Sequence, residues 1–141
     1  MNTRRSSGTR SLSEIRRVLI VDDNRDSAEL LTLLLEREGH ETRTAYDGQE
    51  AIALAAQFQP NIALLDIGLP DMDGYELVQT LRARSELSAC KFVAVTGHGE
   101  LRAGSGSPHF DAHLVKPVDL SAVVRLVVEL APGDLAKPVS A

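Results

Sequence analysis

Short apolar runs that alternate with helical patterns constrain the fold of this chain more than any other feature. A short apolar run bounded by turn residues is typical of a buried strand. The runs that favour strands are "RVLIVD" (17–22), "ETRTAY" (41–46), "IALLD" (62–66), "KFVAVTG" (91–97) and "AHLVKP" (112–117). Strands that alternate with helices predict a parallel sheet with helices on both faces. The sequence therefore predicts an α/β protein built from five strand–helix units.

Four segments between or after these strands have clear helical patterns. The predicted helices cover 27–39, 48–60, 73–85 and 119–130. Gly39 stands where a helix C-cap belongs, and Pro60 ends the second helix. Asp73 and Glu76 have the spacing of a capping box at the start of the third.

The segment between the last two strands is a poor helix former. A fourth helix of five is expected within 98–110, which contains Gly104, Ser105, Gly106, Ser107 and Pro108. Glycine disfavours a helix interior by about 1 kcal/mol relative to alanine, and proline by about 3 kcal/mol. We therefore expect this helix to be weak or absent, with residues 98–108 forming a loop or a frayed single turn.

Length and charge indicate one domain between two tails. We expect a disordered basic tail over 1–16, because it is rich in arginine and serine, a domain over 17–131, and a C-terminal tail over 132–141. The net charge of -5 argues against nucleic acid as the main partner. No apolar run approaches the length of a membrane span, and the single Cys90 suits a reducing, cytoplasmic compartment.

Acidic residues follow two of the predicted strands. Asp22 and Asp23 come at the end of the first strand, and Asp66 closes the third. Ligands of open parallel sheets bind at the carboxyl ends of the strands. If the first and third strands are neighbours, three carboxylates converge, and a hard divalent cation would relieve their repulsion. Since the sequence offers no His/Cys cluster for zinc, this pattern favours Mg2+ or Mn2+.

Two further strand ends carry groups that suit a phosphate-handling site. Thr96 closes the fourth strand and Lys116 the fifth, while Gly97 would offer its backbone N–H to a phosphate oxygen. A carboxylate can act as the nucleophile that forms an acyl phosphate, with a cation and a lysine neutralising charge. Taken alone, an Asp pair is often a helix N-cap, and Lys-Pro is common in loops. Their joint placement at four strand ends favours a site.

These residues resemble the motifs of receiver domains of two-component response regulators. The matching stretches are "LIVDDN", "LLDIGLPDMDG", "AVTG" and "LVKPV", and the resemblance covers residues 17 to about 130. It implies a flavodoxin-like five-stranded parallel sheet in the order 2-1-3-4-5, with helices on both faces.

The resemblance also implies a role for each acidic residue. Asp66 would take a phosphoryl group from a histidine kinase or a histidine phosphotransfer protein. Asp23, Asp66 and the backbone carbonyl of Gly68 would bind Mg2+ directly, and Asp22 would act directly or through water. Lys116 would pair with Asp66 or its phosphate. The Lys116–Pro117 peptide bond is cis in the family, a form that is tolerated before proline.

The switch residues implied by the resemblance include one departure from the family. Thr96 would move toward the phosphate. The position three residues before the lysine is usually Tyr or Phe, and here it is His113. An imidazole can pack and rotate in the same way, but it can also become charged near neutral pH.

Two other functions compete with a phosphoacceptor that catalyses only its own phosphorylation and dephosphorylation. A Mg2+-dependent phosphohydrolase with an aspartyl nucleophile usually has a second acid two residues later, where this chain has Gly68. A flavodoxin-type electron carrier would need a Ser/Thr/Gly-rich first loop, whereas this loop is acidic. No DNA-binding helix-turn-helix fits after residue 130, so we expect a stand-alone regulator or a receiver from a hybrid kinase. The sequence does not name the downstream protein partner.

Overall fold

The five strands form one parallel sheet in the order β2-β1-β3-β4-β5. In the computed structural model, which describes residues 15–97 and 109–131, the strands are β1 (Arg17–Val21), β2 (Glu41–Ala45), β3 (Ile62–Asp66), β4 (Lys91–Thr96) and β5 (Ala112–Val115). Every residue of β3 is buried, as expected of a central strand covered on both faces. The predicted flavodoxin-like fold is confirmed.

Helices cover both faces of the sheet and divide the core in two. Alternate residues of β1 lie on opposite faces of the sheet: Leu19 and Val21 belong to one buried cluster, and Val18 and Ile20 belong to the other. The first cluster includes residues of α2 (Gly48–Phe58) and α3 (Gly74–Arg82), and the second includes residues of α1 (Arg25–Arg37) and α4 (Leu120–Leu130). The site at the strand ends therefore rests on a sheet that is packed from both sides.

The predicted helix stop signals act as expected. Gly39 has a positive φ of 96° just after α1, a conformation that glycine adopts without strain. The α2 helix ends at Phe58, because the residue that precedes Pro60 is disfavoured in the α-helical region; Gln59 instead takes a left-handed conformation with a φ of 50°. The predicted third helix ends earlier than expected, at Arg82, and a separate 3-10 turn (Ser85–Leu87) follows it.

Two sequence predictions concern residues outside the described ranges. The expected loop or frayed turn at 98–108 lies there, as do residues 1–14 and 132–141 of the expected tails. Among the described residues there are four helices, and the last of them, α4, is regular over 11 residues.

The boundary of the N-terminal tail needs a correction. Arg16, which we assigned to the tail, is only 5% exposed. Its Nε donates to the Ala131 carbonyl at 2.8 Å, and its Nη2 donates to the Val128 carbonyl at 2.9 Å. The domain therefore includes Arg16, because this guanidinium binds the carbonyls at the end of α4.

None of the helices within 15–97 and 109–131 has the length and hydrophobicity needed to cross a membrane.

Candidate functional site

Three carboxylates meet at the carboxyl ends of β1 and β3. Asp22 and Asp66 are buried, with exposed fractions of 4% and 5%, and Asp23 is exposed. Each residue offers one carboxylate oxygen to a group in which all these atoms lie within 4.8 Å of one another. The two strands are neighbours, with Val21 paired to Leu65 directly before the acids. The predicted convergence is therefore confirmed.

The start of α1 excludes the simple capping role for the acidic pair. The N-cap of α1 is Asn24, whose side-chain oxygen accepts a hydrogen bond from the Ser27 N–H at 2.9 Å. Asp22 Oδ1 accepts a hydrogen bond from the Asn24 N–H at 2.9 Å. Because Asn24 caps the helix, the Asp23 side chain is not needed for that purpose.

Asp66 is held by one contact on each of its carboxylate oxygens. Its Oδ1 accepts a hydrogen bond from the Gly68 N–H at 3.0 Å, and its Oδ2 lies 3.2 Å from Lys116 Nζ. The Asp66 side chain is only 6% exposed, whereas that of Lys116 is 40% exposed. The ammonium therefore reaches a buried carboxylate from the solvent side.

The backbone at the end of β5 positions Lys116. The Lys116 N–H donates to the Thr96 carbonyl at 2.7 Å, which joins the ends of β4 and β5. The Lys116–Pro117 peptide bond is cis, as the family resemblance implied.

Among the residues that the structure describes, the negative charges at this site exceed the positive ones. Burial, and to a smaller extent the neighbouring Asp66 carboxylate, raise the pKa of Asp22 from 3.8 to about 6, although the hydrogen bond from the Asn24 N–H and, more weakly, the charge of Lys116 lower it. Three carboxylates face one lysine ammonium, and their oxygens are the ligands that hard cations prefer. The residues present therefore fit a divalent cation such as Mg2+, which would favour the ionised form of all three acids.

The predicted switch residues lie beside this cluster on β4 and β5. Thr96 is fully buried, and its hydroxyl donates to the Leu114 carbonyl at 3.5 Å. Gly97 follows it and is half-buried. His113, also half-buried, packs its ring against Phe110 with a centroid separation of 5.8 Å. His113 thus occupies a side-chain packing position, as the aromatic residue of the family would.

Two residues near the site were missed by sequence reasoning. Asn24 stands three residues before the predicted helix over 27–39, and because asparagine is a preferred N-cap residue, an earlier helix start could have been identified from it. Asp71 accepts hydrogen bonds from the N–H groups of Gly48 at 2.8 Å and Gln49 at 3.0 Å. No local pattern indicates this contact, because the partners are more than twenty residues away along the chain.

The fold and the acidic cluster define a receiver-type α/β domain, and comparison with known proteins agrees. The chain belongs to the response regulator receiver domain family, whose model matches residues 18–128. Such domains are signalling modules of two-component systems, are generally not classed as enzymes, and typically bind Mg2+ at an acidic pocket.

Curated relatives include both short and longer proteins. The chain is 31% identical over 119 residues to the protein PilH of Pseudomonas aeruginosa, and the match covers 83% of this chain and 98% of PilH. It is 35% identical over 111 residues to the DNA-binding response regulator MtrA of Mycobacterium tuberculosis, covering 77% of this chain. The match covers 49% of MtrA, so this chain spans about half the length of that relative.

Solved structures show the same fold. A putative response regulator from Chloroflexus aurantiacus superposes with a TM-score of 0.71 at 30% identity, over 79% of this chain and 93% of the other. A sensor protein from Polaromonas sp. JS666 gives a TM-score of 0.73 at 30% identity, over 85% of this chain and 98% of the other.

Proposed function

We propose that Asp66 accepts a phosphoryl group from the phosphohistidine of a histidine kinase or of a histidine phosphotransfer protein, and that the modified domain signals to a protein partner. The observation that carries this proposal is the buried Asp66 carboxylate, which has Asp22 and Asp23 oxygens within 4.8 Å and the Lys116 ammonium at 3.2 Å. A nucleophilic carboxylate surrounded by cation-binding oxygens and a lysine is suited to phosphoryl transfer.

In the transfer step, a carboxylate oxygen of Asp66 attacks the phosphorus of the phosphohistidine. A P–O bond forms, the P–N bond breaks, and its electron pair stays on the imidazole nitrogen of the donor. Lys116 neutralises negative charge on the transferring group, and the Gly68 N–H holds one carboxylate oxygen in place at 3.0 Å. The domain catalyses only this phosphorylation and the later hydrolysis of its own acyl phosphate.

Mg2+ is the cation that we propose for the acidic cluster, with Mn2+ as a substitute. Asp23, Asp66 and the Gly68 carbonyl would hold it directly, and Asp22 would do so directly or through water. When bound, it supplies positive charge to the oxygens of the phosphoryl group.

Thr96, Gly97 and His113 are proposed to carry the response. The buried Thr96 hydroxyl, which now bonds to the Leu114 carbonyl, would turn toward a phosphate oxygen, and the Gly97 N–H would donate to another. Because His113 lies on β5, which pairs with the β4 strand that ends at Thr96, movement of Thr96 would change its surroundings.

An apolar groove beside the site supports a protein as the phosphoryl donor. A groove of about 510 Å³ is lined by Asp22, Lys116 and residues of α1 and of the segment after β5. Two of the lining leucines are exposed: Leu30 on α1 is 51% exposed, and Leu120 at the start of α4 is 37% exposed. Since the groove joins exposed leucines to the acceptor site, a helix that carries a phosphohistidine would dock there.

The acceptor is tested by intact-mass measurement after incubation with acetyl phosphate and Mg2+. Wild-type protein should gain one phosphoryl group, and Asp66→Asn should gain none. An undiminished adduct in Asp66→Asn would move the acceptor to another residue.

The docking groove is tested by comparing two donors. Leu30→Glu places a charge on an exposed position of α1 that lines the groove, and it should slow transfer from a phosphohistidine protein that phosphorylates wild type. It should leave phosphorylation by acetyl phosphate unchanged, because this small donor needs no docking surface. Equal slowing with both donors would contradict the assignment of the groove.

A Mg2+-dependent phosphohydrolase remains the alternative activity, but the family match gives it no support. Gly68 stands where such enzymes usually place a second acid. Incubation with p-nitrophenyl phosphate and Mg2+ separates the two functions. We expect no multiple turnover of this ester, and sustained turnover that Asp66→Asn abolishes would favour the phosphohydrolase.

A further inference from the structure

The loop that follows β3 is tied to the start of α2 through Asp71. The Asp71 carboxylate accepts hydrogen bonds from the N–H groups of Gly48 at 2.8 Å and Gln49 at 3.0 Å. These are the first N–H groups of α2, which lack partners within the helix and carry the positive end of its dipole. The bonds from Gly48 and Gln49 lower the pKa of Asp71, so the carboxylate is ionised at neutral pH.

A second contact at the same place brings the loop and α2 close together. The Met72 side chain packs on Gly48, where a Cβ atom would lie 2.5 Å from Met72 Cγ. The loop tip, defined as Asp71 and Met72, is therefore fixed to α2 by one polar and one apolar contact.

The base of the loop is closed independently of α2. The Gly74 N–H donates to the Ile67 carbonyl at 2.9 Å. A Cβ atom at Gly74 would lie 2.8 Å from Ile67 Cα, so the two ends of the loop approach as closely as glycine permits. Gly68 lies between this closed base and the anchored tip.

The position of Gly68 explains why the tip contact matters. Gly68 is exposed and has no side chain of its own to pack. Glycine has more backbone freedom than any other residue, so the direction of its carbonyl depends on the segments at either side. Its N–H is held by Asp66 Oδ1, and the chain then runs through the buried Leu69 toward Asp71.

We propose that Asp71 is a positioning residue for the cation site: by anchoring the loop tip on the first turn of α2, it fixes the direction of the Gly68 carbonyl. This inference rests on the proposed function, in which that carbonyl is a ligand of Mg2+. Asp71 itself contacts neither the cation nor the phosphoryl group.

Asp47 provides a matched control at the same helix end. Asp47 is the N-cap of α2, and its Oδ1 accepts a hydrogen bond from the Glu50 N–H at 2.8 Å. Asp47→Ala and Asp71→Ala each remove one carboxylate from the start of α2. Only Asp71→Ala also releases the loop after β3.

The experiment measures Mg2+ binding by isothermal titration calorimetry with wild type, Asp71→Ala and Asp47→Ala. Asp71→Ala should weaken Mg2+ binding about fivefold, somewhat less than the loss of a residue bonded directly to a metal ligand. Asp47→Ala should leave the Mg2+ dissociation constant at the wild-type value, although it also lowers thermal stability. Asp71→Asn, which keeps one acceptor oxygen, should fall between wild type and Asp71→Ala.

A second readout uses the metal-free protein. Amide hydrogen exchange of residues 67–73 should be faster in Asp71→Ala than in wild type and unchanged in Asp47→Ala. At saturating Mg2+, Asp71→Ala should be phosphorylated by acetyl phosphate at the wild-type rate, because Asp66 and Lys116 are intact.

The other possible results of the Mg2+ titrations separate the positioning role of Asp71 from the proposed cation site. If wild type binds Mg2+ and Asp71→Ala binds it equally well, the positioning role is wrong and the proposed function stands. Equal weakening in Asp71→Ala and Asp47→Ala would reduce Asp71 to a helix-capping residue. If wild type binds no Mg2+ at all, the cation site of the proposed function fails together with this inference.

Discussion

The sheet arranges polar groups in opposite ways at the amino ends and at the carboxyl ends of its strands. At the amino ends of the strands, called here the anchoring edge, Arg16, Asn61 and Asp111 each bond to groups of complementary charge or polarity. At the carboxyl ends, called here the acidic edge, the like charges of Asp22, Asp23 and Asp66 lie together near the ammonium of Lys116. The contacts at the anchoring edge therefore stabilise the fold, whereas the like charges at the acidic edge destabilise it.

The anchoring edge links distant parts of the chain through paired groups. The Asn61 side chain accepts from the Arg17 N–H at 2.7 Å and connects β1 to the start of β3. Asp111 accepts from the Phe92 N–H at 2.8 Å and from Arg82 Nη2 at 2.6 Å, which connects β5, β4 and α3. These contacts satisfy polar groups that would be costly to bury alone.

The acidic edge shows the opposite balance. Asp22 is 4% exposed, and its pKa is raised to about 6, chiefly by burial. A group that is destabilising when ionised and nevertheless buried is expected at a functional site, where stability is given up for ligand binding. The carboxylates of the acidic edge therefore suit the binding of a cation at a cost to stability, whereas the contacts of the anchoring edge stabilise the fold.

Loss of the arginine at the anchoring edge should have the largest effect on stability. Arg16→Met removes the charged donor from the Ala131 and Val128 carbonyls, so the free energy of unfolding should fall by about 3 kcal/mol. Urea denaturation measures this change. Arg17→Met is the control, because the Arg17 guanidinium reaches the Gln59 carbonyl in an exposed contact, and its loss should cost about 0.5 kcal/mol or less. Equal losses in the two variants would remove the special role of Arg16.

Loss of the lysine at the acidic edge should affect chemistry instead. Lys116→Met removes the ammonium that lies 3.2 Å from Asp66 Oδ2, and phosphorylation by acetyl phosphate should slow about a hundredfold. The rate is followed by intact mass against time. Lys91→Met, at the amino end of β4, removes the same type of side chain from the other edge and should leave the rate unchanged. Similar rates in both variants would show that Lys116 does not stabilise the transferring group.

The two neighbouring aspartates, Asp22 and Asp23, should differ in how strongly their loss weakens Mg2+ binding. Asp23→Ala should weaken Mg2+ binding by about tenfold or more and slow phosphorylation at low Mg2+ in proportion, because the proposed direct ligand is lost while the nucleophile remains. Asp22→Ala should weaken Mg2+ binding less if its contact is through water. Titration calorimetry with both variants gives the two constants. Unchanged binding in Asp23→Ala would remove its role as a ligand.

Much of the acidic edge could be predicted because it follows from local patterns. Apolar runs ending in aspartate gave β3 its observed bounds of Ile62–Asp66, and parallel pairing then brings the ends of β1 and β3 together. The anchoring edge could not be predicted in this way. Arg16 bonds to carbonyls 112 and 115 residues away, and sequence reasoning placed it in a tail. Long-range side-chain contacts to backbone groups leave no periodic pattern, and the contact of Asp71 with α2 was missed for the same reason.

The claim that the acidic edge opposes folding is tested most directly through Asp22. Its pKa in the folded protein, about 6, lies above the ordinary value of 3.8, so between these values the folded protein holds a proton that the unfolded chain has released. The stabilisation present below about pH 4 is therefore lost as the pH rises through about 6. Asp22→Asn keeps an oxygen that can accept from the Asn24 N–H but does not ionise, so it should not lose stability in this way.

The measurement is the free energy of unfolding of wild type and Asp22→Asn by urea denaturation. It is made from about pH 4 to about pH 8, once with EDTA and once with Mg2+. With EDTA, the two proteins should be similar near the acidic end, and Asp22→Asn should be more stable by on the order of 2 to 3 kcal/mol above about pH 7. Mg2+ should narrow that difference, because wild type binds the cation more tightly. Equal stability of the two proteins in EDTA at neutral pH, with the same dependence on pH, would show that the ionised Asp22 carboxylate does not destabilise the fold.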